Sequence, residues 1–172
     1  QAAIDAHIQN DAFARFLGAD VTIVAPGHSR VSLTVTEQMT NFHGITHGGL
    51  VFALGDLAFA AAGNSRGQVA VALNVNIHFL KPSKAGDRLV AEAKECHLGG
   101  RTGLYEITVV EETSGTLIAR SQDLVRWAKV GEIAPAAEYE AKGVQVAATP
   151  AELYSAADII VKVLRRNGIV QG

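Results

Sequence analysis

A chain of 172 residues fits one domain with a sizeable core and leaves room for an appendage. Its formal charge of −2 gives no electrostatic reason to invoke nucleic acid. The lone cysteine, Cys96, excludes an intrachain disulfide and fits a reducing compartment, and no basic-then-apolar leader is visible, so a soluble cytoplasmic protein is expected.

Residues 2–17 read as a short amphipathic helix, with Ile4, Ile8, Phe13 and Leu17 near helical spacing and Gly18 as its stop. Alternating apolar positions then predict a hairpin of strands over 19–25 and 30–36, turned at Pro26-Gly27. From Gly49 to Gly63 nearly every position is apolar or small, with neither alternation nor an amphipathic stripe. A helix apolar all round is a membrane span or a buried axis, and about 15 residues is too short to cross a bilayer. No membrane contact is therefore expected. After residues 64–67 the pattern is all strand: 69–80, 88–98, 103–112 and 116–127, separated by short turn-rich segments. Short connections predict an antiparallel meander, curved so as to bury the apolar helix on every side. Residues 131–149 read as a linker, and Thr149-Pro150 opens an amphipathic helix running to about Arg166.

Two features of the apolar helix ask for a chemical explanation. Asp56 is its one ionisable residue, and carboxyls are rarely buried without partners. At its start, Gly48 and Gly49 follow His47 where Ser, Thr, Asp or Asn would be the usual cap. The first N–H groups of a helix lack intrahelical partners and lie at the positive end of its dipole. Glycines there suit the approach of a polarised carbonyl or anion, and equally suit tight packing against a strand.

The spacing Asn41-x-x-Gly44-x-x-His47-Gly48-Gly49 followed by Asp56 resembles the hot-dog-fold acyl-CoA thioesterases of the phenylacetate-degradation (PaaI-like) type. The resemblance extends over residues 12–130, including Phe79-Leu80-Lys81-Pro82 and the turn Gly100-Arg101-Thr102. It implies an α+β hot-dog domain over residues 1–130, with a long central helix wrapped by a curved antiparallel sheet. Residues 131–172, the linker and extra helix, lie outside the pattern. It implies subunits paired through a continuous sheet, often as two dimers in a tetramer, and hydrolysis of acyl-CoA without metal or organic cofactor. Residue by residue, it implies Asp56 as base or nucleophile, Gly48 as oxyanion donor, Asn41 orienting water or thioester, and His47 shaping the helix start; the bland alternative for Asn41 is a loop side chain capping local backbone. Gly49, Lys81, Pro82, Gly100, Arg101 and Thr102 would bind substrate, the two cations near CoA phosphates. One departure stands out: the hydroxyl that some relatives carry on the next strand falls near Ala72 here.

Gly48 and Asp56 are eight residues apart, roughly 12 Å along a helix at 1.5 Å rise. One helix can hardly aim both at a single carbonyl carbon, whereas two helices related by a twofold can, so an active site shared across a homodimer is expected. His43, His78 and His97 show no ligand spacing, and no metal site is expected. No Gly-x-Ser-x-Gly motif supports a serine triad. The competing class is a non-catalytic acyl-CoA-binding hot-dog module, against which the unpaired Asp56 speaks. A hot-dog dehydratase would need a histidine and second acid in another motif. The preferred acyl group is expected to be phenylacetyl or a ring-hydroxylated aromatic relative.

Overall fold

The structure, a computed structural model, describes Ile8 and residues 10–128. The chain divides between Ala128 and Lys129, and the linker and extra helix expected over 131–172 lie outside the described residues. So do Ile4 and most of residues 2–9, the first half of the helix expected over 2–17.

Helix α1 (Ala12–Leu17) is capped by Asp11, which accepts the Ala14 N–H at 2.8 Å, and is stopped by Gly18 at φ 66. Strands β1 (Asp20–Ala25) and β2 (His28–Thr34) form the expected hairpin, with Gly27 at φ 80 in the turn. The alternation read in β2 is real: Val31 and Leu33, with Val35 beyond the strand end, are all buried. Helix α2 (Gly48–Asn64) follows, then β3 (Ala70–Phe79), β4 (Arg88–Leu98), β5 (Thr102–Glu111) and β6 (Leu117–Trp127).

The six strands form one antiparallel sheet in the order β1-β2-β4-β5-β6-β3. This differs from the four-strand meander expected. β4, β5 and β6 do run as a meander, but β3 pairs with β6 at the far edge rather than with β4. Residues 80–87 carry the chain back across the sheet end. Eight residues reach up to roughly 26 Å, and three strand spacings need only about 14 Å, so a turn-length segment suffices for the crossing. Its middle is pinned to the loop before α2: Thr46 N–H donates to the Ser83 carbonyl at 2.8 Å, and the two hydroxyls bond at 2.7 Å.

α2 lies against the sheet antiparallel to β3. Its first residue faces Phe79, where a Cβ on Gly48 would sit 3.7 Å from the ring, and Asn64 at its end accepts the Ala70 N–H at 2.9 Å. Leu50, Val51, Leu54, Ala58, Phe59, Ala61 and Ala62 are buried against the strands. Each large side chain so covered contributes on the order of 1.5–3 kcal/mol. Gly63 lets the last turn approach, since a Cβ there would come within 3.3 Å of Ala70. Phe59 meets Tyr105 edge-on at 5.4 Å, and the Tyr105 hydroxyl donates to Glu95. The helix is not covered on every side, however. Gly49, Phe52, Asp56 and Ala60, spaced three or four apart, form one stripe that is exposed or half-buried. A single sheet covers one side of a cylinder, and Asp56 lies at the margin of the open stripe, half-buried beside β3 and β6.

Candidate active site

His47 caps α2 with its ring: Nδ1 accepts the Gly49 N–H at 2.9 Å. The Leu50 and Val51 amides reach the His47 carbonyl, so the Gly48 N–H is the one at this helix start without a partner among the described residues. It sits at the positive end of the α2 dipole, half-buried beside Phe79. A donor so placed suits an oxygen that gains negative charge during reaction.

Two turns further on, half-buried Asp56 lines a small pocket between α2, β3, β5 and β6. Phe52, Val75, Ile77, Ile107, Val109 and Ala119 form its apolar walls. Burial raises the Asp56 pKa above its ordinary value of 3.8, and the nearby charges of Asp123 and then Asp11 add to the rise. A carboxylate so disfavoured holds a proton more readily than an exposed one, which is the property asked of a general base.

Asn41 does not reach this pocket through its carbonyl. Oδ1 accepts the His43 N–H at 2.9 Å, its backbone carbonyl accepts the Gly44 N–H, and Gly44 turns the loop at φ 74. The side chain thus shapes the loop that delivers His47, and its Nδ2 donor remains for a ligand. Gly49 is exposed, with its amide committed to His47.

Besides Gly49, the other five residues suggested for substrate fall into two separate groups. Lys81 and Pro82 are exposed just past β3, where the Leu80 and Lys81 amides bond the Ile118 carbonyl at the start of β6. Gly100, Arg101 and Thr102 form the β4–β5 turn at the other end, where Trp127 donates to the Arg101 carbonyl. The length of β6 between them is roughly 30 Å. Within one chain Lys81 lies at the Gly48 end and Arg101 at the opposite one. Ala72 is exposed on β3 and brings no hydroxyl.

Asp123 and Ser121 of β6, which the sequence reading passed over, line the Asp56 pocket. The signal was present: they share the period-2 phase of buried Ala119 and Val125. Among the described residues no group of three or more His, Cys, Asp or Glu side chains is arranged to hold a metal ion. No helix among them is long and apolar enough to cross a membrane.

Comparison with known proteins agrees with this architecture. A family profile described as the thioesterase superfamily matches residues 43–118. Acyl-coenzyme A thioesterase PaaI of Escherichia coli K12 is 46% identical over 109 residues, covering 63% of this chain and 78% of the relative. The solved structure of E. coli PaaI, described as from the phenylacetic acid degradation operon, superposes with a TM-score of 0.71 at 40% identity, covering 74% of this chain and 92% of that one. A Streptococcus mutans UA159 protein solved bound to acetyl-CoA aligns at 28% identity with a TM-score of 0.61, covering 64% and 88% of the two chains. With a PaaI-like helix start, an acidic group on the central helix and an antiparallel sheet wrapped against it, the chain belongs to the thioesterase superfamily, as a hot-dog acyl-CoA thioesterase of the PaaI-like type.

Proposed function

We propose that the protein hydrolyses aromatic acyl-CoA thioesters, phenylacetyl-CoA and its ring-hydroxylated relatives, in active sites shared between two subunits. The observation that carries this reading is the pairing of a free Gly48 amide with a half-buried Asp56 two turns along the same helix. In the reading, the Gly48 N–H of one chain stabilises the oxyanion while the partner's Asp56 drives attack on the carbonyl. Collapse expels the CoA thiolate, which takes a proton and leaves the free acid. Asn41 and His47 hold the loop and helix start, and no metal or organic cofactor is called for.

Three features support a homodimer. β3 is a ten-residue edge strand with Leu73 and Phe79 more than half exposed, a liability unless covered. The open stripe of α2 leaves Gly49, Phe52 and Ala60 exposed beyond the cover of its own sheet. A twofold through the middle of β3 would also set the Arg101 end of one chain beside the Gly48 and Lys81 end of the other. That brings together the two groups of substrate residues that one chain keeps apart. Two such dimers would form a tetramer, acting in the cytoplasm.

The likeness to E. coli PaaI, described as from the phenylacetic acid degradation operon, supports an aromatic acyl group over a long fatty chain. A panel of acyl-CoAs assayed for thiol release tests the substrate, and a kcat/KM for palmitoyl-CoA above that for phenylacetyl-CoA overturns it. Sharing is tested by mixing Asp56→Asn protomers with Gly48→Val protomers. Exchange should restore up to one intact site per mixed dimer, and heterodimers seen by mass spectrometry without activity would refute it.

A further inference from the structure

Burial demands partners for a carboxyl, and Asp123 satisfies the demand only by half. It is 1% exposed on the inward face of β6. Both of its hydrogen bonds fall on Oδ1, which accepts from the Ser121 hydroxyl and from the Asn76 N–H at 3.3 Å. Oδ2 accepts from no donor among the described residues. It is not sealed away either, because no side-chain oxygen or nitrogen closed from solvent lacks a partner. The space it can open to is the pocket that Asp123, Ser121 and Asp56 line together. The remaining polar lining residue, Arg120, is exposed and paired with Glu106. The space enclosed suits about one water molecule, which needs two to four polar partners to be held.

We propose that Asp123 is a second catalytic carboxyl, holding the attacking water between its Oδ2 and Asp56. This rests on the thioesterase reading above. The water gives one hydrogen to each carboxyl, so its lone pair points away from both and toward the open side of the pocket. The new bond forms from water oxygen to the thioester carbon as Asp56 takes one proton. The C=O electrons move to the oxygen facing the partner's Gly48. When the C–S bond breaks, the proton on Asp56 goes to the departing sulfur, giving CoA thiol and free acid. Ser121 orients Asp123 from behind and takes no proton. The charged groups around Asp56 are Asp123 and Arg120 on β6 and Asp11 at the α1 cap, while β3 and β5 present Val75, Ile77, Ile107 and Val109.

The test is Asp123→Asn in the full chain, assayed on two acyl-CoAs with different acyl groups. The kcat should fall at least about 10-fold, by the same factor for both, with KM within about twofold. The acid limb of kcat/KM should move to lower pH, because the like charge beside Asp56 is gone. Unchanged kcat with an unmoved limb, or a loss that follows the acyl group, overturns the proposal. A single turnover of the unmodified protein in H₂¹⁸O needs no variant: label should enter the product acid and not Asp56. Label found in an Asp56 peptide means direct attack by that carboxyl, and the proposal falls. A protein that releases thiol from no acyl-CoA sinks the thioesterase reading itself, whereas hydrolysis indifferent to Asp123→Asn sinks only the second carboxyl.

Discussion

The His47 ring and the Gly49 amide are joined at 2.9 Å, Nδ1 accepting, and this bond decides which amide at the start of α2 is left for a ligand. Because Nδ1 accepts, the ring proton of the neutral form sits on Nε2. His47→Ala should cost about 1 kcal/mol of stability, the ordinary worth of an N-cap, and lower kcat several-fold as the first turn frays around Gly48. His47→Asn, a good capping residue, should recover most of both. Thermal melts and steady-state kinetics check this. A variant that regains stability while activity stays lost would give the ring a part in the chemistry.

Asp56 should trade stability for activity. Burial first, then Asp123 and Asp11, raise its folded pKa above the ordinary 3.8. The folded state therefore binds more protons than the unfolded between those two values, and stability falls as pH rises through that window. At neutral pH Asp56→Asn should melt about 2–4 °C higher, corresponding to roughly 1 kcal/mol for a chain of this size. The gap should close on acidification to about pH 4. Turnover should drop at least about 10²-fold. A lower melting temperature at neutral pH would show that the carboxylate has a stabilising partner in the assembly.

Arg101 offers a separate check on substrate binding. A phosphate contact is made in ground and transition states alike, so Arg101→Ala should raise KM several-fold and leave kcat within about twofold. As Arg101 is exposed, the effect should shrink as salt is added. An unchanged KM at low ionic strength returns Arg101 to the ordinary turn residues.

What could be read in the chain and what could not divides along physical lines. Strand phase is local, so β2 was legible from Val31, Leu33 and Val35 alone. The helix was legible because fifteen apolar or small residues without period have few other fates. Strand order was not: nothing in the alternation of β3 says which neighbour it pairs with, and the crossing by residues 80–87 hides in a stretch of turn length. The open stripe through Phe52 and Asp56 was hidden for a related reason, since composition cannot say how much of a helix one sheet will cover. Gly48 and Asp56 stood out as misfits in their local pattern. Asn41 was visible, and the backbone cap that its carbonyl makes to the His43 amide was one of its two readings. Asp123 was overlooked among strand residues although its phase pointed inward.

The bonds between Ser83 and Thr46 carry a consequence for how the chain tolerates change in length. Surface connections usually absorb an inserted or deleted residue as a local bulge. Here the crossing from β3 to β4 is tied by backbone and hydroxyl to the residue immediately before His47. An added residue between Leu80 and Ser83 would be transmitted along that tie to the helix start, and register lost in a loop would appear as misalignment of an amide. The segment should therefore be far less permissive to insertion than its exposure suggests, and chimaeras that exchange it should carry Thr46 along.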